Sequence, residues 1–160
     1  MQYIQLETDP NAIPGFVLWQ LTKLWQRRLS VCAKEFGIGG TELVVLGNAV
    51  RFHGLGHQPT QSMLTEITKV DRMTCSQTIR SLERKKLIKR LVATNDNRTF
   101  YVVPTKQGIE VADQALGKVI EAHTEFFAPL QNEMGQFLEL MLRLLNENSE
   151  KSADPEKIPD

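Results

Sequence analysis

Residues 71–86 read DRMTCSQTIRSLERKK, and this stretch decides the fold. On a helical wheel Cys75, Ile79 and Leu82 fall on one face, which therefore requires a hydrophobic core. The opposite face carries only neutral and basic side chains: Thr74, Gln77, Arg80, Ser81 and Arg84. Such a helix fits the major groove of B-DNA, where Arg pairs with guanine edges and Gln with adenine edges. The alternative interpretation is an amphipathic helix whose polar face is simply solvated.

The segment in front of this helix predicts a second, shorter helix. Thr60 is the expected N-cap, and the helix covers residues 61–69. A very short turn then leads to the next N-cap, which is either Asp71 or Thr74 paired with Gln77 in a capping box. Two helices joined by a tight turn are typical of a helix-turn-helix.

The segment behind the helix predicts a β-hairpin with a basic arm. Residues 87–92 alternate, residues 93–99 are polar, and residues 100–103 are aromatic and β-branched. Lys89 and Arg90 lie on the first arm. A basic hairpin in this position is the wing of a winged helix, which can place an Arg in the minor groove. The alternative is an ordinary surface turn.

Long helices flank the central segment. The apolar pattern predicts a helix over residues 13–36, another that Thr41 caps, and a helix from residue 105 that Pro129 interrupts before the last one. The expected fold class is therefore mainly α with a small β-hairpin wing, a winged helix-turn-helix with long terminal helices. We expect residues 1–40 and 105–148 to form a helical dimerisation region and residues 41–104 the DNA-binding domain. The polar residues 149–160 predict a disordered tail.

The charge distribution supports nucleic-acid binding although the formal net charge is zero. Residues 69–106 contain ten Lys and Arg against three Asp and Glu, whereas the rest of the chain contains nine against sixteen. A basic segment within an acidic protein is the electrostatic pattern expected of a polyanion-binding surface.

Several classes of function are disfavoured by the sequence. It has no phosphate-binding loop, no nucleophile elbow and no zinc-protease motif, so we expect no enzyme, no catalytic residues and no cofactor. It has no apolar run long enough for a membrane span and no signal peptide, which predicts a cytoplasmic protein with no membrane partner. His53 and His57 are separated by glycines, which disfavours a metal site.

Residues 71–83 closely resemble the recognition-helix signature of MarR-type transcription regulators. Further similarity lies in Thr60-Gln61 with Leu64, in residues 87–90, in Asp96-Asn97-Arg98 and in residues 102–108. The flanking helices resemble the family as well, so that the match runs from about Leu18 to Leu145. Lys86 departs from the pattern, because the family usually has a glycine there. A left-handed backbone at Lys86 would cost about 1 kcal/mol.

The resemblance implies a homodimer that binds one palindromic site on double-stranded DNA. The residues expected to contact DNA are Thr74, Ser76, Gln77, Arg80, Arg84, Lys89, Arg90, Asp96 and Arg98. Gln77 and Arg80 are expected to read bases, and Arg98 to enter the minor groove with Asp96 holding it. The alternative for the apolar terminal helices is that they only close an intramolecular core.

The resemblance also implies a repressor that a small aromatic ligand releases from DNA. The expected pocket lies between the dimer helices and the winged domain, and its candidate residues are Trp25, Arg28, Cys32 and His53. Core packing or a surface ion pair would explain the same residues. Two alternatives stay open: a redox-responsive regulator that uses Cys32 or Cys75, and a winged-helix module that binds another protein.

Overall fold

The computed structural model describes residues 9–93 and 96–152, except for the side chains at positions 10, 93, 96–98 and 150–152. The described backbone contains six α-helices, a hairpin of two strands and two 3-10 segments. The helices are α1 (Pro14–Lys34), α2 (Gly40–Gly54), α3 (Gln61–Thr68), α4 (Arg72–Arg84), α5 (Lys106–Phe127) and α6 (Met134–Ser152). The strands are β1 (Ile88–Ala93) and β2 (Asp96–Pro104), and the 3-10 segments are Pro10–Ala12 and Ala128–Glu133. This architecture confirms the predicted fold class.

Several boundaries differ from the sequence prediction. Helix α2 starts at Gly40 with Gly39 as its N-cap, so that Thr41 lies inside the helix and does not cap it. Strand β2 starts at Asp96, which makes the polar tip of the hairpin shorter than predicted. Helix α6 continues to Ser152 and includes the first four residues of the predicted tail, while residues 153–160 lie outside the described residues.

The chain divides into two compact units, one up to Ala122 and one from His123. In the first unit the core joins the helix-turn-helix to the hairpin. Leu46 of α2, Leu64 of α3, Leu82 of α4 and Val102 of β2 are essentially inaccessible to solvent. Burial of each such side chain contributes about 1.5–3 kcal/mol relative to exposure. The hydrophobic effect therefore fixes α4 against α2, α3 and the base of the hairpin.

The extended segment at Pro59, in front of α3, connects the hairpin to the helix-turn-helix. Strands β1 and β2 pair antiparallel, with Ile88 opposite Pro104 and Val92 opposite Phe100, and the register shifts after Val92. On the other edge of β2 the N–H of Val102 donates to the carbonyl of Pro59 at 2.8 Å. Pro59 directly precedes the N-cap of α3. The wing and α3 therefore share a backbone connection as well as a core.

The second unit contains the last turn of α5, the 3-10 segment and α6. An aromatic cluster lies within it, in which the rings of Phe126 and Phe127 meet edge to face with centroids 5.0 Å apart. Gln131 has φ 41° and ψ −114°, a backbone conformation that breaks the helical path between α5 and α6. The break follows Pro129, as the sequence predicts. Among the described residues no helix is long and apolar enough to cross a membrane.

Candidate nucleic-acid interface

Helix α4 begins at a well-formed N-cap. The carboxylate of Asp71 accepts a hydrogen bond from the N–H of Thr74 at 2.9 Å. Hydrogen bonds from the hydroxyl and the N–H of Thr74 hold the pKa of Asp71 below its ordinary value. Of the two N-caps that the sequence allows, the structure has Asp71. Because Thr74 takes part in the cap, its side chain has an intramolecular partner at the position where a DNA contact is predicted.

The turn between α3 and α4 is short for a stereochemical reason. Lys69 ends α3 in the left-handed conformation, with φ 54°. The side chain of Lys69 forms an ion pair with Glu66 one turn earlier. On the far side of the turn, Nε2 of Gln61 donates to the carbonyl of Arg72 at 3.3 Å. Of these contacts, only the one between Gln61 and Arg72 joins α3 to α4.

The two faces of α4 differ as the sequence predicts. Cys75, Thr78, Ile79 and Leu82 are buried. Gln77, Arg80 and Arg84 are exposed, and Ser76 is partly buried. The exposed side of the helix also includes Arg72 and Met73, which were not among the predicted contacts. Met73 is 71% exposed.

A cleft lies between α3, α4 and the wing. Its volume is about 270 Å³. Its lining residues include Arg72, Arg80 and Arg90 as well as Ser62 and Ser76. Arg72 and Arg80 produce a positive potential on this concave surface that attracts phosphate groups, while Glu83 partly neutralises the charge of Arg90. Sequence reasoning missed Arg72 and Ser62, although Arg72 at the first position of a capped helix was a usable signal.

The wing side chains fall into two groups. Lys89 and Arg90 are exposed on β1, where the sequence places them. The backbone of Asp96 and Arg98 belongs to β2, but their side chains lie outside the described residues, so their predicted roles stay predictions. Arg90 forms an ion pair within the protein, because its Nη2 lies 2.6 Å from Oε2 of Glu83 on α4.

The four residues predicted to line a ligand pocket differ in their exposure, and their role in ligand binding stays a prediction. Trp25 is half-buried, Cys32 is buried, and Arg28 and His53 are exposed. The thiol of Cys32 donates to the carbonyl of Lys118 at 3.6 Å, a contact between α1 and α5. Its position follows from packing of the first helix against α5.

A different cavity lies between α1, α2 and α5, and none of those four residues lines it. Its volume is about 440 Å³. Most of its lining is apolar, and Asn48, Arg51 and Asp113 are its polar members. The lining residues are Leu29, Leu43, Val44, Gly47, Asn48, Val50, Arg51, Ala112, Asp113, Leu116 and Val119. We call this cavity the α2–α5 cleft.

Both cysteines are buried, and Cys75 is completely inaccessible to solvent. A thiol reacts with oxidants when it is ionised and accessible, so this burial disfavours the redox alternative.

No family model matches the chain. The uncharacterized HTH-type transcriptional regulator YdcH of Bacillus subtilis strain 168 is 31% identical over 128 residues, which are 80% of this chain and 87% of YdcH. Among solved structures, the MepR–DNA complex of S. aureus matches with a TM-score of 0.75 and 21% identity, over 84% of this chain and 98% of MepR. CouR of Rhodococcus jostii RHA1 bound to p-coumaroyl-CoA matches with a TM-score of 0.73 and 16% identity, over 96% of this chain and 100% of CouR.

The fold and the basic face of α4 define a winged helix-turn-helix protein of the class that regulates transcription. Within that class the chain belongs to the MarR family. The resemblance found in residues 71–83 and in the wing is thereby confirmed. The relatives are transcription regulators and not enzymes.

Proposed function

We propose that this protein is a repressor that binds a palindromic site on double-stranded DNA as a homodimer, and that a small aromatic ligand releases it. The observation that carries the DNA-binding part is the asymmetry of α4. Its inner face is held by the core through Ile79 and Leu82, while Gln77, Arg80 and Arg84 project from the other face. The carboxylate of α4 is that of Glu83, and it is paired with Arg90. The helix therefore presents no unpaired negative charge beside these side chains.

The chemistry of that face matches the major groove. In our proposal Arg80 donates to guanine and Gln77 to adenine, which are the bidentate pairs that the groove edges favour. Arg84 and Lys89 neutralise phosphates, and Ser76 donates a hydrogen bond to phosphate or base. Arg98 enters the adjacent minor groove. In this arrangement the centre of α4 contacts the bases, while the end of α4 and the wing contact the DNA backbone.

Exposed apolar residues support the homodimer. On α1, Leu18, Trp19 and Val31 are each more than half exposed. On α6 of the second unit, several leucines are exposed as well: Leu138, Leu140, Leu142, Leu144 and Leu145. Apolar patches of this kind on a soluble chain mark interfaces. A two-fold dimer would place two α4 helices about 34–36 Å apart, which is one turn of DNA.

The α2–α5 cleft is the proposed ligand site, in place of the four residues expected from the sequence. Its volume is in the range of small-molecule pockets, about 300–1,000 Å³. Arg51 at its edge is exposed and can pair with a carboxylate. CouR is solved with p-coumaroyl-CoA, which carries an aromatic acyl group. An aromatic acid is therefore the ligand class that we propose.

The deciding experiment is a DNA-binding titration. Purified protein is added to a fluorescent duplex that covers the region upstream of its own gene, and anisotropy is followed between about 50 and 200 mM salt. We expect specific binding whose log Kd rises with log salt by about 0.9 for each phosphate contacted. Arg80→Ala should weaken binding strongly. Lys118→Ala, which removes the same charge from α5, is the matched control and should bind like the wild type.

The same titration distinguishes the remaining alternatives. Release of the duplex by one member of a panel of aromatic acids supports the ligand proposal. Tight binding that none of them releases would keep the regulator and move the sensing role elsewhere. Failure to bind any duplex specifically at any salt would refute the DNA-binding proposal and favour a protein-interaction module.

A further inference from the structure

Arg90 joins the wing to the recognition helix α4 through two kinds of contact. Its Nε and Nη2 donate to the same carboxylate oxygen of Glu83, at 2.7 and 2.6 Å. Its guanidinium also lies over the ring of Phe100, with 5.6 Å between the guanidinium carbon and the ring centroid. Glu83 belongs to α4, Arg90 to β1 and Phe100 to β2. One side chain therefore contacts all three elements that are expected to meet DNA.

The geometry is specific for arginine. Nε and Nη2 converge on one carboxylate oxygen while the guanidinium lies over the ring of Phe100, and an ammonium group has no planar set of donors that could make both contacts in the same way. Arg90 also holds the pKa of Glu83 below its ordinary value, mainly through the side-chain hydrogen bond. The carboxylate therefore remains charged and available as an acceptor at neutral pH.

The contact lies where the hairpin leaves the core. At the base of the wing, Ile88 and Val102 are almost completely buried. Farther out, Leu91 and Val92 are about half exposed. Arg90 pairs with Val102 across the hairpin, next to this transition. An anchor at this point fixes the direction of the outer half of the wing, because the core holds only its base.

We propose that the pair of Arg90 and Glu83, which we call the wing brace, sets the angle between the wing and α4, so that Arg90 acts as a positioning residue for DNA binding rather than chiefly as a phosphate contact. The inference rests on the proposed DNA-binding function. With the brace intact, the wing tip and α4 reach adjacent grooves without a further loss of conformational entropy on binding.

The two roles of Arg90 predict opposite effects of removing Glu83. Glu83→Ala takes one negative charge away from the DNA-facing domain and frees Arg90. If Arg90 only contacts phosphate, the variant binds DNA as well as the wild type or more tightly. If the brace positions the wing, the variant binds roughly fivefold more weakly, the factor expected for a partly exposed ion pair.

Arg90→Lys gives the second test. Lys is a competent point-charge partner for phosphate, so a pure phosphate contact would survive the substitution almost unchanged. The brace would not survive, and we expect a similar loss of about fivefold with the salt dependence of Kd preserved. The double variant Glu83→Ala/Arg90→Lys should bind no more weakly than either single variant, since both substitutions break one contact.

Glu66→Ala is the matched control. It also removes one carboxylate and breaks one ion pair in the same domain, that with Lys69, but this pair lies within the α3 turn and does not join the wing. We expect it to bind DNA at least as tightly as the wild type. Amide hydrogen exchange of the free proteins provides a readout without DNA. Exchange in the hairpin should be faster in Glu83→Ala, while exchange in α2 should not change.

Wild-type affinity in Glu83→Ala and Arg90→Lys, additive losses in the double variant, or unchanged exchange in the hairpin would each overturn the brace. If the wild-type protein itself binds no duplex, the proposed function fails, and the role of the brace in DNA binding fails with it. In that case hydrogen exchange still reports whether the ion pair orders the wing. The two failures are therefore distinguishable.

Discussion

Gly108 packs directly against the backbone of Leu87: a Cβ on Gly108 would lie 1.9 Å from the carbonyl oxygen of Leu87. Thr105 fixes this approach. Its hydroxyl donates to the carbonyl of Lys86 at 2.8 Å and accepts from the N–H of Gly108 at 3.0 Å. The start of α5 is thus tied to the residues that connect α4 to the wing, and only a residue without a side chain fits at Gly108.

Gly108→Ala should therefore destabilise the protein. The obstacle is a backbone carbonyl, which cannot move without displacing the base of the wing, and we expect a loss of about 3 kcal/mol. Gly117→Ala is the control in the same helix, because a Cβ there meets nothing within 4 Å and the substitution should stabilise α5 by about 0.5–1 kcal/mol. Urea unfolding at one protein concentration measures both. Equal stability of Gly108→Ala and the wild type would contradict the close packing.

Lys86 has φ 60°, the left-handed conformation that the family's usual glycine adopts without strain. Lys86→Gly should therefore stabilise the protein by about 1 kcal/mol. Lys118→Gly, at a right-handed helical position in α5, should destabilise it by about 1 kcal/mol. Both values come from the same urea titration. A destabilising effect of Lys86→Gly would mean that the lysine side chain contributes more than its backbone strain costs.

The pair of Glu42 and Lys85 should make stability depend on pH. Partial burial raises the pKa of Glu42, but hydrogen bonds from Lys85 and Gly39 and the charge of Lys85 outweigh it, so that the folded-state pKa lies below the ordinary value of 4.5. A carboxyl group with a depressed pKa stabilises the fold fully above its unfolded-state pKa and loses this contribution as pH falls through its folded-state pKa. The free energy of unfolding should thus decrease below about pH 4.5. Glu42→Gln should show a smaller decrease over that range, and an unchanged profile would refute this account.

Local patterns predicted the helices of the DNA-binding domain well. The apolar face of α4 and its cap at Asp71 depend on residues within one or two turns, so a wheel and a capping rule identify them. The strain at Lys86 was also predictable, because a single residue departs from a family glycine. The start of β2 was not, since a polar sequence such as that from Asp96 forms a strand only when β1 pairs with it.

Contacts between elements that are far apart in the chain could not be predicted from the sequence. Cys32 contacts the carbonyl of Lys118, and the face of α1 that turns toward α5 depends on packing of the whole unit. The partner of Arg90 is Glu83, which lies on a different element and on neither face of the wheel used for prediction. The wing brace and the α2–α5 cleft are consequently tertiary features.

Arg98→Ala should weaken binding to the operator without unfolding the protein. A wing-tip arginine is expected to gain most from a narrow, A/T-rich minor groove, so the loss should be about tenfold on such a duplex and smaller when the flanking bases are G/C-rich. The slope of log Kd against log salt should fall by about 1. Asp96→Ala should give a similar but smaller loss if that carboxylate orients the arginine. Equal affinity of Arg98→Ala and the wild type would refute the role of the wing tip.

Gly47→Leu tests the α2–α5 cleft as the ligand site. Gly47 lines the cleft, and a Cβ there meets nothing within 4 Å, so we expect a leucine to extend into the empty volume of the cleft. The added side chain should also improve the helical propensity of α2 by about 0.8 kcal/mol. We therefore expect a stable protein that binds DNA with wild-type affinity and that an aromatic acid no longer releases from the DNA.

Gly54→Leu, which adds the same side chain at the end of α2 and outside the cleft, should still respond to the ligand. We expect both variants to keep the fold and the DNA contacts, so normal release from Gly47→Leu would locate the ligand elsewhere, and loss of release in both would point to an effect on α2 as a whole.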